Sequence, residues 1–217
     1  MDASPTDTPG LTLADHARRL NSRAPGGAHL PALILITDRR RLGDPMPAIR
    51  ALPRGSAVIL RDYDLKDREH LARTLCGLCH HLGHRLLVAG DARLAGRVGA
   101  DGLHLPEIMA PRARRWRARR RHWLITVSAH SGAALAALSG RGADAALLGP
   151  VFATASHPGA PCLGPTRFAA LVKTSPVPVY ALGGISVDTA ARLKGSGAVG
   201  IAAISGLAGP IGERSKS

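Results

Sequence analysis

Short apolar segments alternate with stretches of helical periodicity along most of this chain. The apolar segments cover residues 32–37, 57–61, 85–89, 102–105, 124–128, 145–148, 177–182 and 199–203. Most are unbroken runs of apolar residues, which is typical of parallel strands that are buried on both faces. We therefore predict eight strands.

Helical patterns fill intervals between these strands. They cover residues 67–82, 93–98, 131–138, 166–172 and 187–193, and Ser186 occupies an N-cap position before the last of them. Eight β-α units predict an α/β fold, a (β/α)8 TIM barrel. Because the chain ends soon after the eighth strand, we expect its last helix to be truncated.

An open, doubly wound sheet is the alternative arrangement of alternating strands and helices. A Rossmann sheet has its glycine-rich turn after the first strand, but here Thr37, Asp38 and two arginines follow that strand. Glycines gather instead after the seventh and eighth strands, where TIM barrels place their phosphate sites. This distribution favours the barrel.

The predicted barrel forms a single domain over residues 30–209. Residues 1–29 are rich in Pro, Ser, Thr and Gly, and we predict a flexible tail there with one short helix around residues 11–23. We also predict a flexible C-terminus over residues 210–217. With 217 residues, of which 45% are hydrophobic, the chain is long enough to bury one sizeable core.

The chain has no apolar run long enough to cross a bilayer, and its N-terminus is polar and acidic rather than basic and then apolar. We therefore predict a cytoplasmic protein with no membrane partner.

The charge of the chain is strongly positive, at +14, and its densest basic stretch is residues 112–121. This arginine-rich segment holds seven arginines and Trp116. A basic segment with an aromatic residue can follow a phosphate backbone, but this pattern is also that of a solvated helix face. We favour the solvated face and regard a nucleic-acid partner as unlikely.

Two loops combine small and hydroxyl residues at predicted strand ends. Residues 149–159 include Thr154 and Ser156, residues 178–185 include Gly183 and Gly184, and Ser205 follows the eighth strand. Backbone N–H groups and hydroxyls at adjacent strand ends can converge on one anion. We predict a phosphate site, with ordinary glycine-rich turns as the alternative.

Six segments occur in an order that carries a family resemblance. They are residues 36–38, 60–61, 100–105, 127–131, 149–159 and 182–185, and they cover nearly all of the chain after residue 30. In this order they resemble the thiamine phosphate synthase and thiazole tautomerase superfamily. The resemblance implies a barrel and a place in thiamine metabolism.

The resemblance also implies a site with two halves, because the synthases of the family join a pyrimidine methyl pyrophosphate to a thiazole phosphate. Ser128 matches a site position of the family, and in the pyrophosphate half the chain keeps Arg61. The residues that match the thiazole-phosphate half are Thr154, Ser156, Gly183, Gly184, Ile204 and Ser205.

The magnesium site implied by the family is altered in this sequence. The third strand ends in Ala89 and Gly90 where the family has Asn-Asp, and Met109 stands at the second carboxylate position. Mg²⁺ favours hard oxygen ligands, so we predict Asp91 and Glu107 as replacement metal ligands.

Four residues form the predicted catalytic set. Arg61 follows three aliphatic residues at a strand end, where we expect it to bind an anion. Ser128 is implied by the resemblance. His130 and His157 follow strands, and imidazole has a suitable pKa for proton transfer; His157 stands where the family has a lysine.

The predicted function is that of a thiamine phosphate synthase-like transferase of thiamine biosynthesis. It would couple hydroxymethylpyrimidine pyrophosphate with thiazole phosphate, with Mg²⁺ as cofactor, to give thiamine phosphate and pyrophosphate. The alternative is a metal-independent thiazole-phosphate tautomerase, or a non-catalytic relative that binds a phosphorylated ligand. The expected partners are the phosphorylated thiazole and pyrimidine, and a homodimer is an open alternative to a monomer.

Overall fold

Eight parallel strands close into a barrel in the computed structural model, which describes residues 11–154 and 161–204. Each strand pairs with the next one along the chain, and β8 pairs with β1. This arrangement confirms the predicted TIM barrel. The strands are β1 (Leu33–Ile36), β2 (Ala57–Leu60), β3 (Arg85–Ala89), β4 (Gly102–Leu105), β5 (Leu124–Ala129), β6 (Ala145–Leu148), β7 (Val179–Leu182) and β8 (Gly200–Ala203).

The helices that the structure describes lie between these strands, apart from one that precedes β1. They are α1 (Leu13–Asn21), α2 (Arg39–Leu42), α3 (Met46–Arg50), α4 (Arg68–Leu82), α5 (Ala92–Val98), α6 (Ala113–Arg119), α7 (Gly132–Ala136), α8 (Gly164–Thr174) and α9 (Val187–Ala191). The short helices α2 and α3 were not predicted, because Gly43 at φ +60° and Pro45 interrupt the helical pattern between them.

Each strand packs one face beneath the helices and the other inside the barrel. In β1, Leu33 and Leu35 belong to the outer cluster beneath the helices, whereas Ile34 and Ile36 belong to the cluster inside the barrel. Since both faces are buried, the strands need apolar residues at consecutive positions. This is the physical reason that unbroken apolar runs predicted the strands.

Helix α1 lies in the predicted N-terminal tail, residues 1–29, at the place of the predicted short helix, and it packs on the barrel. Thr12 caps the helix, and Leu13, Ala17 and Leu20 are buried in the outer cluster. Asn21 donates from Nδ2 to the backbone oxygen of Val199, at 2.9 Å. The described part of this segment is therefore tied to the barrel, while the boundary at residue 29 stays a prediction.

Tyr180 closes the interior of the barrel near the N-terminal ends of the strands. Its ring is fully buried, and its hydroxyl donates to the backbone oxygen of Pro31 at 2.6 Å. The predicted C-terminal segment, residues 210–217, and the truncated last helix lie outside the described residues. Among the described helices, none has the length and apolar character needed to cross a membrane.

Candidate active site

The carboxyl ends of the eight strands form one mouth of the barrel, which we call the C-terminal mouth. Barrel enzymes place their active sites at this end. Ser156, His157 and Ser205 lie outside the described residues. The other predicted site residues lie on or after the ends of strands, namely Arg61, Asp91, Glu107, Ser128, His130, Thr154, Gly183, Gly184 and Ile204.

Arg61 leaves β2 on the side of the barrel interior, two residues after Ile59. Its Nη2 donates to Oδ2 of Asp38 at 2.6 Å, and its backbone N–H donates to Oγ1 of Thr37 at 3.1 Å. Thr37 in turn donates to Asp62 at 2.5 Å. The Arg61 side chain is 39% exposed, so the guanidinium is held in place and still open to an anion at the mouth.

Arg68 is a mouth residue that sequence reasoning missed. It begins α4, and its Nη2 donates to the backbone oxygens of Ala89, at 2.6 Å, and Leu60, at 3.2 Å. Its guanidinium lies 5.3 Å from the ring centroid of Tyr63, and burial lowers its pKa. A cation opposes the dipole at the start of a helix, and that mismatch is the sequence signal that could have indicated a tertiary role.

Ser128 is held by a histidine inside the barrel. Nε2 of His104 lies 3.0 Å from Oγ of Ser128, and Nδ1 lies 2.9 Å from Oγ1 of Thr126. Burial is the main cause that lowers the pKa of His104 to about 4, and the charge of Arg61 lowers it further. His104 is therefore neutral at pH 7, with one ring nitrogen donating and the other accepting.

His104 is a site residue for which no role was predicted. Its register explains the contact: His104 of β4 lies beside Thr126 of β5, and both point into the barrel with Ser128 two residues further along β5. A hydroxyl at every second position of β5 was the available signal, because it places polar groups on the interior face.

His130 and Glu107 form a pair across the ends of β4 and β5. Oε2 of Glu107 accepts from the backbone N–H of His130 at 2.8 Å and lies 2.7 Å from its Nδ1. The His130 side chain is 64% exposed. A carboxylate in this position orients the ring and leaves Nε2 directed away from it, which is the arrangement of a proton-transfer histidine.

The two carboxylates predicted to bind Mg²⁺ have other partners. Oδ1 of Asp91 caps α5 by accepting from the N–H of Leu94 at 2.9 Å, and Glu107 is paired with His130. Within residues 11–154 and 161–204, no three His, Cys, Asp or Glu side chains are arranged to hold a metal ion. Because Mg²⁺ is usually held by one or two carboxylates together with substrate phosphates and water, its binding by Asp91 and Glu107 stays a prediction.

The turn after β7 packs against the loop after β6. Gly183 and Gly184 have φ values of +93° and +64°, and a Cβ on Gly184 would lie 2.3 Å from the backbone oxygen of Ala153. Only glycine can therefore occupy position 184 without displacing that loop. Neither glycine donates its N–H to an acceptor within the described residues, so both can donate to an anion. Thr154 lies in the adjoining loop and is half-buried.

Comparison with known proteins identifies relatives over most of the chain. The family model described as "Thiamine monophosphate synthase" matches residues 33–207. The thiamine-phosphate synthase of Thioalkalivibrio sulfidiphilus is 35% identical over 72% of this chain and 77% of its own length. That of Alcanivorax borkumensis is 33% identical over 83% of this chain and 86% of its own.

A solved structure gives the same fold. The thiamine phosphate pyrophosphorylase from Pyrococcus furiosus superposes with a TM-score of 0.69 at 24% identity, covering 86% of this chain and 91% of the other. These findings confirm the predicted resemblance and the predicted function, that of a thiamine phosphate synthase-like transferase of thiamine biosynthesis. The chain belongs to the thiamine monophosphate synthase family.

Proposed function

We propose that this chain couples hydroxymethylpyrimidine pyrophosphate with thiazole phosphate at the C-terminal mouth, giving thiamine phosphate and pyrophosphate. The observation that carries the proposal is the position of Arg61, which is fixed by Asp38 and open at the mouth. In an eight-stranded barrel β2 lies opposite β6, so Arg61 is across the mouth from the glycine turn that packs on the β6 loop.

The reaction requires different groups on the two sides of the mouth. The bond between the pyrimidine methylene carbon and the pyrophosphate oxygen breaks, and its electron pair leaves with pyrophosphate. The thiazole nitrogen supplies the pair for the new carbon–nitrogen bond, so the thiazole ring becomes cationic. Arg61 stabilises the negative charge that grows on the leaving pyrophosphate, and no protein group needs to remove a proton.

The glycine turn provides the opposite half of the site. The N–H groups of Gly183 and Gly184 bind the thiazole phosphate, with Thr154 at its edge, and so direct the thiazole nitrogen towards the mouth. Ser128 lies near the end of β5 between the two halves, and its hydroxyl is positioned by His104. Asp91 and Glu107 are the carboxylates that would hold Mg²⁺ beside the pyrophosphate, where the ion would supply further positive charge against the leaving group.

The test is formation of thiamine phosphate by the purified full-length chain from the two substrates, with Mg²⁺ and with a chelator. We expect Arg61→Ala to lower kcat/KM by about 100-fold or more, the usual scale for a lost charge-stabilising donor. Arg50→Ala removes an exposed arginine of α3 and should leave kcat/KM unchanged. Absence of product from the unaltered chain would reject the proposal.

A second candidate function rests on the pair of His130 with Glu107. An isomerase that moves a proton on thiazole phosphate needs an oriented base, and this pair has the required form. If the chain binds thiazole phosphate, makes no thiamine phosphate, and loses proton exchange on the thiazole in His130→Asn, the isomerase is the correct function.

A further inference from the structure

A cavity of about 550 Å³ opens at the N-terminal end of the barrel, opposite the C-terminal mouth. We call it the basal cavity. It is bounded by the first residues of β3 and β5, by the residues that precede β4 and β6, and by the end of the arginine-rich segment. Its basic side chains are His29, Arg85, Arg117, Arg120, Arg121 and His122.

The two carboxylates that line the basal cavity already have partners. Asp144 pairs with Arg117 and accepts from the N–H of Ile125 at 2.6 Å. Asp101 accepts from the N–H of Leu86 at 2.8 Å and lies 3.0 Å from Nε2 of His80. Neither carboxylate is therefore available to neutralise the other arginines.

Arg117 acts as an internal clamp rather than as a free cation. Besides Asp144, it donates from Nη1 to the backbone oxygen of Arg121 at 2.6 Å and from Nε to that of Gly142 at 3.2 Å. These bonds hold the end of α6 and the loop before β5. The same loop places Arg120 and Arg121 in the wall of the cavity, so the hydrogen bonds of Arg117 also fix their positions.

Besides Arg117, three arginines line the basal cavity: Arg85, Arg120 and Arg121. All three residues are exposed, and no carboxylate in the described part of the chain pairs with any of them. The guanidinium carbon of Arg120 lies 5.3 Å from the ring centroid of Trp123, and this cation–π contact restrains the Arg120 side chain. Positive charges that line one cavity repel each other, and an anion bound between them relieves that repulsion.

We propose that the basal cavity binds a small molecule that carries a diphosphate group. Guanidinium groups bind phosphate oxygens with two parallel hydrogen bonds, and three of them exceed the charge of a single phosphate. The cavity has the volume of a small-molecule site, and its lining is confined to one end of the barrel, which suits a compact anion better than an extended strand of nucleic acid. Free pyrophosphate and a nucleoside diphosphate share this chemistry.

The experiment is titration of the full-length chain with inorganic pyrophosphate and, separately, with ADP. Because pyrophosphate is also the proposed product at the C-terminal mouth, calorimetry reports binding at both ends of the barrel, and tryptophan fluorescence measures the affinity of the basal cavity. The chain has two tryptophans, Trp116 and Trp123, whose ring centroids lie 6.3 Å apart, and Trp123 lines the cavity. We expect saturable binding that changes the fluorescence and weakens with added salt.

Matched variants separate the basal cavity from general positive charge. We expect Arg120→Gln with Arg121→Gln to weaken binding by about tenfold or more, because each lost guanidinium removes charge-assisted hydrogen bonds. Arg85→Gln tests the other wall and should weaken binding as well. The control is Arg112→Gln with Arg114→Gln, which removes two exposed charges of the same segment outside the cavity.

Three results would overturn the proposal. One is the absence of a saturable fluorescence change with both anions. Another is equal weakening in the control pair, which would indicate attraction to net charge alone. The third is loss of binding in Arg61→Ala with no change in the Arg120 and Arg121 variant, since binding would then occur at the C-terminal mouth. Similar affinities for both anions would support recognition of the diphosphate itself. Thermal melts establish that each variant is folded.

Discussion

Acid should destabilise this protein at pH values where most of its carboxylates are still ionised, and His104 should account for a large part of the loss. Its ring is buried between Thr126 and Ser128, and burial lowers its pKa from 6.5 to about 4. The unfolded chain therefore binds a proton at a pH where the folded chain does not. Stability from this group is complete above pH 6.5 and is lost progressively as the pH falls towards 4.

The size of the effect follows from the two pKa values. A difference between 6.5 and about 4 corresponds to about 3 kcal/mol in total, at about 1.4 kcal/mol for each pH unit. Of this amount, about 2 kcal/mol is lost between pH 7 and pH 5. Burial also lowers the pKa of His84, so the unaltered protein should lose somewhat more than this.

Urea denaturation at pH 7, 6 and 5 measures the free energy of unfolding directly. His104→Gln should lower the free energy at pH 7 but remove about 2 kcal/mol of its decline between pH 7 and 5. His84→Gln is the matched control, because it removes a second buried histidine and leaves the contribution of His104 intact. NMR titration of the His104 ring gives an independent measurement, in which the ring should stay neutral down to pH 5. An equally steep decline in His104→Gln, or a ring that titrates near 6.5, would refute the reasoning.

Three further results are expected. Gly184→Ala should destabilise the fold by about 2 kcal/mol or more and weaken thiazole-phosphate binding, because its Cβ would meet backbone at φ +64°. Gly140→Ala, at φ +65° with open space around it, should lower the free energy of unfolding by only about 1 kcal/mol. Equal losses in the two variants would contradict a role for the backbone contact at Gly184. Thr12→Ala should lower the free energy of unfolding by about 1 kcal/mol through loss of the capping box, and an unchanged urea midpoint would show that α1 contributes little. Cys162 is exposed and should react with a thiol reagent in the native state, whereas burial raises the pKa of Cys79 to about 12; rapid reaction at Cys79 would contradict its burial.

The strands could be predicted from the sequence because a barrel strand needs apolar residues at consecutive positions. Ile34 and Leu35 must both be apolar when one faces the interior and the other the helices. The position of Arg61 at the mouth could be predicted for a related reason, since a cation that directly follows such a run is poorly explained by packing; its anion-binding role stays a prediction. These are local patterns, and a single segment is enough to recognise them.

The missed residues act through contacts between segments that are distant along the chain. Arg68 reaches the backbone oxygen of Ala89, 21 residues away, and His104 reaches Ser128, 24 residues away. Neither spacing has a periodicity that marks it in the sequence. The partner of Glu107 was missed for the same reason, since His130 lies 23 residues away. Asp91 differs, because its partner Leu94 is only three residues away, and the sequence does not tell whether such a carboxylate caps a helix or faces a ligand.

The two candidate functions predict different responses to two substitutions. Coupling of the two substrates removes no proton through the protein, so it depends on the charge of Arg61 and needs no base at the mouth. Isomerisation needs an oriented base, so His130→Asn should abolish it. Formation of thiamine phosphate that survives in His130→Asn and is lost in Arg61→Ala identifies the synthase. Proton exchange on the thiazole that survives in Arg61→Ala and is lost in His130→Asn, with no thiamine phosphate formed, identifies the isomerase.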